Sequence, residues 1–388
     1  MHEIPLSRRA RQVTPFLAME VMERAKELEQ QGREIIYLCL GEPDFATPQV
    51  IIDRARQAMT EGETLYTHSL GRLELREAIA EHYLKRYRVT IDPNQVLASS
   101  GTSPLMLLLF SALCEEGDEI ILTDPGYACY PNFIRFAGGV PRFVQTCEED
   151  GFQPRAEQIK PLVGNHTRGI LINSPQNPTG AVLSASRLQE LCKLEVPIIS
   201  DEIYHSLTYE GEEHSALEFT DQAFVLGGFS KSHAMTGWRL GYLITPPSAV
   251  RTMQSLHQNF MISANSFVQL AGITALQECQ DEVARMREKY DQRRKMIVPG
   301  LQKIGLSVRT QPHGAFYVLA DARHISHDSL ALAKEILEET GVAVTPGIDF
   351  GAGAEGFLRF SYANSQENIN QALARLELMF RQRGWLPA

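Results

Sequence analysis

Short apolar runs rich in β-branched residues alternate with longer stretches of helical periodicity through the middle of the chain. The apolar runs lie at 119–123, 169–173, 196–200, 224–226 and 240–244. The helical stretches lie at about 72–87, 103–114, 184–193, 265–280 and 281–301. Because strands that alternate with helices usually run parallel, this pattern predicts a largely parallel β-sheet covered by helices.

The pattern changes after Gly305, where it predicts two strands, a helix at about 328–340, two more strands and a helix at about 366–382. This compact α+β order is typical of a separate, smaller domain. A chain of 388 residues is also longer than one compact core usually accommodates. We therefore expect two domains, linked by the long charged helix at 281–301.

The composition narrows the possible partners. The chain carries 37 basic and 47 acidic residues, for a net charge of -10, and no lysine or arginine stripe, which argues against nucleic acid and anionic membranes. Six cysteines are scattered without a C-x-x-C pair, which indicates reduced core thiols and favours a reducing cytoplasm. No apolar signal-peptide core follows the N-terminus, and the apolar stretch at 105–114 is too short to span a bilayer, so we expect a soluble, unprocessed protein.

Lys231 is the strongest candidate for chemistry, because it lies in the segment that directly follows the apolar run at 223–228. An amine at the end of a buried strand loses water around its charged form, so its pKa falls. It can then act as a nucleophile or a proton carrier, as a Schiff-base lysine must. The alternative is a solvated lysine on a connection.

Asp201 ends the apolar run at 196–200, and Tyr204 follows three positions later. The carboxyl end of a buried parallel strand is where ligands bind in open α/β sheets, and a carboxylate buried there needs a cationic partner. A protonated pyridine nitrogen is one such partner, since it makes the ring an electron sink. The alternative is that Asp201 caps a following helix.

Two further strand ends carry polar turns. The segment 173–180 contains two asparagines and two prolines, and Asn177 could bind a ligand oxygen, although ordinary turn chemistry explains the composition equally well. Gly101 and Thr102 stand at the start of a helix, where backbone N–H groups favour a phosphate, or where a hydroxyl simply caps the helix. Arg239 could add a bidentate charge to the same phosphate, or lie on the surface.

Two residues suggest contacts with a flat ring and with an anion. Tyr127 follows a strand and could place its face against a cofactor ring, although core packing is the usual fate of such a tyrosine. Arg359 interrupts an apolar strand, and a buried arginine requires an anion such as a substrate carboxylate. An internal salt bridge with one of the 47 acids is the competing explanation.

Two motifs are dismissed. The segment 351–356 fits G-x-G-x-x-G, but it leads into a strand instead of opening a helix, so it predicts a turn and no dinucleotide site. His324 and His327 have no acid or cysteine at ligand spacing, so no metal site is predicted.

Taken together, the segments 100–102, 173–180, 201–204 and 231–239 resemble the signature of class I/II aminotransferases, which are pyridoxal-phosphate enzymes of fold type I. Bacterial aspartate aminotransferase-like enzymes are the most similar group, and the likeness covers nearly the whole chain. The resemblance implies an α/β fold with a large domain at 48–284, built on a mostly parallel seven-stranded sheet. It also implies an N-terminal arm and small α+β domain at 1–47 and 285–388, and a homodimer with composite active sites.

The resemblance also implies roles for individual residues. Lys231 would form the Schiff base with pyridoxal phosphate, and Asp201 and Tyr204 are its implied catalytic companions. The residues implied to bind the cofactor are Lys231, Asp201, Tyr204, Asn177, Gly101, Thr102, Tyr127, Ser230, Arg239 and, from the neighbouring subunit, Tyr66. Those implied to bind the substrate α-carboxylate are Arg359, Gly41 and Asn177.

The chain departs from the family pattern at two positions. Many relatives have serine or threonine where Gly228 stands, so Ser230 is the substitute expected to contact the phosphate. Some aspartate-specific relatives have a lysine where Ser103 stands, and that lysine recognises a distal carboxylate.

The activity implied by the resemblance is transfer of an amino group from an L-amino acid to a 2-oxo acid by a ping-pong mechanism. The alternatives are a carbon–sulfur lyase on the same fold and, more distantly, a non-catalytic binding or regulatory protein. Tyr204 and the match over 236–239 favour transfer, and the preferred amino donor stays open between aspartate, alanine, aromatic and methionine-like substrates.

Overall fold

A computed structural model describes residues 4–386. Its strands are β1 (Ile36–Tyr37), β2 (Val96–Ser99), β3 (Glu119–Asp124), β4 (Val140–Gln145), β5 (Thr167–Asn173), β6 (Ile198–Asp201), β7 (Ala223–Gly228), β8 (Gly241–Ile244), β9 (Tyr317–Asp321), β10 (Val342–Ala343), β11 (Thr345–Pro346) and β12 (Phe357–Ser361). Its helices are α1 (Arg8–Arg11), α2 (Leu17–Gln30), α3 (Gln49–Thr60), α4 (Leu73–Tyr87), α5 (Thr102–Leu113), α6 (Tyr130–Ala137), α7 (Ala156–Ile159), α8 (Ala185–Cys192), α9 (Val250–Phe260), α10 (Ser266–Glu278), α11 (Gln280–Lys303), α12 (Ser329–Thr340) and α13 (Gln366–Gln382).

The central sheet has seven strands in the order β2-β8-β7-β6-β5-β3-β4. Only β8 pairs antiparallel with its two neighbours, β2 and β7, so the predicted mostly parallel seven-stranded sheet is confirmed. Strands β2, β6 and β8 are buried at every position, because helices cover both faces of the sheet. The carboxyl ends of β2, β3, β5, β6 and β7 consequently meet along one edge.

The predicted helices at 72–87, 103–114, 184–193, 265–280 and 281–301 are present as α4, α5, α8, α10 and α11, with ends shifted by a few residues. Helix α2 was not predicted from the sequence, although its residues line a cavity at the carboxyl edge of the central sheet. Among residues 4–386, no helix combines the length and the apolar character needed to cross a bilayer.

The C-terminal part differs from the prediction in its strands. Two strands were expected between Gly305 and α12, but only β9 forms, and Ser307 joins it through a single isolated bridge to Asp321. The intervening backbone turns away because His313 and Gly314 donate their N–H groups to the carbonyl of Gly180, at 2.9 Å each. Between α12 and α13 the chain forms three strands instead of two, since β10 pairs with β1 while β11 pairs with β12.

Separate hydrophobic cores support a division of the chain. Two buried clusters lie on the two faces of the central sheet, and a third surrounds β9, β12 and the helices α11, α12 and α13. Tyr204 and Leu207 from the sheet region pack into this third core. The domain boundaries at 48–284, with 1–47 and 285–388, stay a prediction, and positions 1–3 and 387–388 lie outside the described residues.

Candidate active site

A cavity of about 570 Å³ lies where the carboxyl edge of the central sheet faces β12. It is lined by most of the predicted site residues, namely Gly41, Thr102, Tyr127, Asn177, Asp201, Tyr204, Ser230, Lys231, Arg239 and Arg359. Gly101 immediately precedes this lining. Tyr66 lies outside it and is 85% exposed.

Lys231 lies just beyond β7 and points its amine into the cavity. The Nζ atom donates a hydrogen bond to the carbonyl oxygen of Gly41 at 2.6 Å. Burial lowers the pKa of Lys231 to about 8, an effect that Glu42 opposes and that the cations Arg239 and Arg359 reinforce. About a tenth of the amine is therefore uncharged at pH 7, far more than for a lysine of ordinary pKa, and the uncharged form is the nucleophile.

Asp201 is the last residue of β6 and is only 3% exposed. Its Oδ2 atom accepts a hydrogen bond from the Tyr130 hydroxyl at 2.6 Å, and its Oδ1 atom accepts one from the Ile203 N–H at 3.1 Å. Burial raises the pKa of Asp201 to about 6, while the Tyr130 bond opposes the rise. The helix-cap alternative is wrong, because turns and no helix follow β6.

Within residues 4–386, no basic side chain forms an ion pair with Asp201. A buried carboxylate without a cation is costly unless a ligand provides the positive charge. Tyr130 was not predicted from the sequence. The sequence feature that could have identified Tyr130 is its position, three residues after Tyr127 and at the start of the helix that follows β3.

Arg359 is 2% exposed in β12. Its Nη1 atom donates to Asn177 Oδ1 at 2.9 Å, and its Nη2 atom donates to the Cys39 carbonyl at 2.6 Å and to Thr345 Oγ1 at 3.0 Å. The guanidinium carbon lies 4.4 Å from the centre of the Tyr317 ring. These contacts hold the guanidinium in one orientation.

The salt-bridge alternative for Arg359 is wrong. Among the described residues no carboxylate pairs with this guanidinium, and its Nε atom is buried without a hydrogen-bond partner. A buried cation that is held only by neutral groups can accept an anionic ligand at small reorganisation cost. The geometry therefore fits a bound carboxylate.

The start of α5 offers a site for a second anion. Gly101 has a φ of +93°, a backbone conformation that favours glycine, and a Cβ atom there would lie 2.6 Å from Arg239 Nη2. No side chain caps α5, so the alternative of a Ser/Thr cap is wrong. The first N–H groups of the helix can therefore bind an anion. Arg239 is exposed, and its Nη1 atom donates to the Thr236 carbonyl at 3.0 Å, which directs the side chain along this helix start.

Gly228 has a packing reason to lack a side chain. A Cβ atom at this position would lie 3.0 Å from Ile203 Cδ1 and 3.2 Å from the Gly241 Cα, tighter than most real contacts. Ser230 is buried and lines the cavity two residues later, which is compatible with its predicted contact to a phosphate.

Aromatic side chains complete the site. Tyr127 makes edge-to-face contacts with Tyr130 and Phe16, at centroid distances of 5.1 and 6.1 Å. The Tyr204 hydroxyl is hydrogen-bonded to the Tyr317 hydroxyl at 2.7 Å, and burial raises the pKa of both groups, so both stay neutral. Tyr317 was not predicted from the sequence, because β9 carries no polar turn that would single it out.

The two dismissed motifs lie elsewhere. The segment 351–356 forms a short turn that leads into β12, as predicted, and the Gly353 N–H donates to Asp124 Oδ1 at 2.9 Å. Across the part of the chain that the structure describes, no three His, Cys, Asp or Glu side chains are grouped in a way that could hold a metal ion.

This combination of fold and site defines a family. Residues 33–376 match the family model described as "Aminotransferase class I and II". The chain belongs to this family, and it is a pyridoxal-phosphate-dependent enzyme that moves an amino group from an amino acid to a 2-oxo acid.

Individual relatives match over almost their full length. The chain is 39% identical over 378 residues to an aspartate/prephenate aminotransferase of Thermus thermophilus, covering 95% of this chain and 97% of the relative. It is 38% identical over 377 residues to a (5-formylfuran-3-yl)methyl phosphate transaminase of Methanocaldococcus jannaschii, covering 96% and 98%. The solved structure of a Thermus thermophilus aspartate aminotransferase with maleate superposes with a TM-score of 0.93 at 37% identity, covering 97% of this chain and all of that one. Nothing in these comparisons favours the lyase alternative.

The residues of the cavity fit pyridoxal phosphate. Asp201 is a buried carboxylate that lacks a cation, as expected of a partner for a protonated ring nitrogen. Lys231 supplies an amine of lowered pKa, and the uncapped start of α5 beside Arg239 suits a phosphate.

Proposed function

We propose that this cavity is the catalytic centre of the transamination. The observation that carries the proposal is the meeting of three groups in one cavity: the Lys231 amine, the buried Asp201 carboxylate and the Arg359 guanidinium without a counter-ion. These groups meet three requirements of the reaction. The amine attaches the cofactor covalently, the carboxylate stabilises the charge on the ring, and the guanidinium orients the substrate.

The cofactor, when bound, supplies an electron sink for the negative charge that develops at the substrate Cα. Lys231 would hold the cofactor covalently until the amino group of the substrate takes its place, and its freed amine would then carry the proton removed from Cα, for which a pKa near 8 is well matched to neutral pH. Asp201 keeps the ring nitrogen protonated. Arg359 binds the α-carboxylate with the Asn177 amide and Gly41 beside it, so that Cα faces the Lys231 amine.

The remaining predicted residues keep their proposed roles. Tyr204 and Asn177 would hydrogen-bond the ring oxygen, and Tyr127 would stack on the ring. The groups proposed to hold the phosphate are Gly101, Thr102, Ser230, Arg239 and, from a second copy of the chain, Tyr66.

A half-reaction tests this proposal. The protein loaded with cofactor is mixed with an amino acid and no oxo acid, and the 2-oxo acid formed is counted. We expect one equivalent per chain, followed by a stop until 2-oxoglutarate is added. Continuous release of ammonia or pyruvate without an acceptor would instead show lyase chemistry.

Tyr130 provides a test of the Asp201 environment. Replacing Tyr130 with phenylalanine removes the 2.6 Å hydrogen bond to the carboxylate, so the pKa of Asp201 should rise above its value of about 6. A larger fraction of the carboxyl group would then be protonated at neutral pH, and cofactor affinity should fall by about tenfold. The measurements are a carbon-NMR pH titration of Asp201 in the cofactor-free protein and a dissociation constant for pyridoxal phosphate. Tyr127→Phe is the matched control, since the Tyr127 hydroxyl has no hydrogen bond to Asp201; an equal shift in both variants would contradict the assignment.

We also propose that the chain forms a homodimer with composite sites. Leu65, Tyr66, Phe260 and Ile262 are large apolar residues between 47% and 85% exposed, and a 3.3 Å hydrogen bond from the Thr67 N–H to Ser263 Oγ joins their two segments. An exposed apolar patch of this kind is typical of an interface. A second copy seated there would cover Tyr66 and bring it towards the partner's cavity.

The dimer proposal predicts that Leu65→Glu converts the protein to a monomer with about tenfold lower activity, because burying an unpaired charge in an apolar interface is costly. Light scattering after size-exclusion chromatography reports the mass. Leu378→Glu is the control, because Leu378 is also exposed, at 59%, but lies on α13. A Leu65→Glu variant that stays dimeric and active would argue against this face.

A cytoplasmic location remains part of the proposal. All six cysteines in the described residues are free, which suits a reducing compartment. The expectation that all are core thiols is wrong for Cys147, which is exposed.

A further inference from the structure

One wall of the cavity is an apolar face of α2. Ala18, Met19 and Met22 line the cavity from this helix, and Phe16 lines it from the residue before. The helix start is held in place by the Asp349 carboxylate, which accepts hydrogen bonds from the Leu17 N–H at 2.9 Å and the Ala18 N–H at 3.1 Å.

The other walls beside the α-carboxylate site are also apolar. Leu40 lies next to Cys39, whose carbonyl accepts a hydrogen bond from Arg359, and Met106 projects from α5 one turn beyond Thr102. Ser103 is small and uncharged. A side chain that leaves Cα in this space therefore meets thioether, aliphatic and aromatic groups.

Among residues 4–386, one cation of the cavity lining has no role in the proposed function, and it is exposed. The basic residues that line the cavity are Lys26, Lys231, Arg239 and Arg359, and the last three already have roles in the proposed function. Lys26 is exposed and lies one helical turn beyond Met22, about 6 Å along the helix at 1.5 Å per residue, at the rim of the cavity.

We propose that the preferred amino donors carry large apolar side chains, aromatic or thioether, and that short dicarboxylic amino acids are poor donors; this rests on the proposed function. Within one chain, the distal carboxylate of aspartate or glutamate would be desolvated against Met22, Leu40 and Met106, and the nearest lining cation without another role is the exposed Lys26. An aromatic or thioether side chain instead gains the burial of its own apolar surface. Met19 and Met22 are flexible enough to fit more than one such shape.

Unreactive carboxylates test the donor class without turnover. The cofactor-loaded protein is titrated with 3-phenylpropanoate and with succinate, which mimic aromatic and dicarboxylic donors but lack the amino group, and binding is followed through the cofactor absorbance. We expect the dissociation constant of 3-phenylpropanoate to be at least tenfold lower. Succinate binding as tightly or more tightly would overturn the proposal.

Variants of α2 test whether its apolar side chains determine which carboxylate binds more tightly. Met22→Lys places a cation among the apolar groups and should shift the affinity ratio towards succinate by at least tenfold, whereas Met22→Leu keeps an apolar wall and should retain the preference for 3-phenylpropanoate. Lys26→Ala should leave the ratio unchanged. A selective loss of succinate binding on changing Lys26 would make that residue a distal-carboxylate site and refute the apolar class.

Failure of the donor class is distinguishable from failure of the proposed function. Half-reactions with phenylalanine, methionine and aspartate are compared by the 2-oxo acid formed per chain and by its rate of formation at several donor concentrations, which gives kcat/KM. If all three form it and aspartate has the highest kcat/KM, the donor class is wrong and transamination stands. If none of them does, the proposed function itself fails.

Discussion

Replacing Lys231 with alanine lowers turnover by roughly 10⁴-fold, the upper end of what a positioned proton-transferring group contributes, and leaves cofactor binding detectable. No other lysine of the cavity lining can replace Lys231, because the second one, Lys26, is exposed at the rim. Lys231→Arg is the control for charge, since it keeps a cation but cannot attach the cofactor or carry a proton at neutral pH; we expect an equal loss. An alanine variant with wild-type turnover would contradict the role of Lys231.

The same alanine variant should be more stable than the wild type when both lack cofactor. The pKa of Lys231 falls from its ordinary 10.5 to about 8 on folding, so between these values the unfolded chain binds more protons than the folded one. Stability from this group therefore rises with pH through that window, and it is unfavourable below it. At pH 7 we expect the Lys231→Ala protein to gain about 1–3 kcal/mol in the free energy of unfolding. Denaturant titrations at pH 7 and pH 10 measure the difference, which should shrink at the higher pH.

Replacing Arg359 with lysine lowers kcat/KM by about 10²–10⁴-fold, with most of the effect in KM, because a point charge cannot reproduce the bidentate contact with an α-carboxylate. The lysine would also leave Asn177 Oδ1 or the Cys39 carbonyl without a donor. Steady-state kinetics and the dissociation constant of an unreactive monocarboxylate give two independent readings. Arg375→Lys is the matched control, since Arg375 pairs with Glu34 at the surface and does not line the cavity. An Arg359→Lys variant with unchanged KM would show that the carboxylate binds elsewhere.

The strand ends explain why so much of the site was predictable from the sequence. A local apolar pattern is enough to identify β3, β5, β6 and β7, and parallel strands bring their carboxyl ends to one edge. Asp201 ends such a strand, and Tyr127, Asn177 and Lys231 each follow one within a few residues, so their meeting in one cavity requires no knowledge of tertiary contacts.

The contacts that orient these residues could not be predicted in this way. Tyr130 reaches Asp201 across 71 positions, and Tyr317 reaches Tyr204 across 113. The anchoring of α2 by Asp349 spans 332 positions. Such pairs depend on how the helices and the C-terminal core pack against the sheet, and one sequence contains no periodic signal for them. The additional strand between α12 and α13 was not predicted for a similar reason, since β10 and β11 have only two residues each and form through pairing with distant partners.

The most direct test of the central claim is to identify the residue that binds the cofactor. The loaded protein is reduced with borohydride, which makes the bond between lysine and pyridoxal phosphate permanent, and is then digested and analysed by mass spectrometry. We predict one phosphopyridoxyl group per chain, on the peptide that contains Lys231. A label on another lysine, or no label in a protein that transaminates, would contradict the assignment of Lys231.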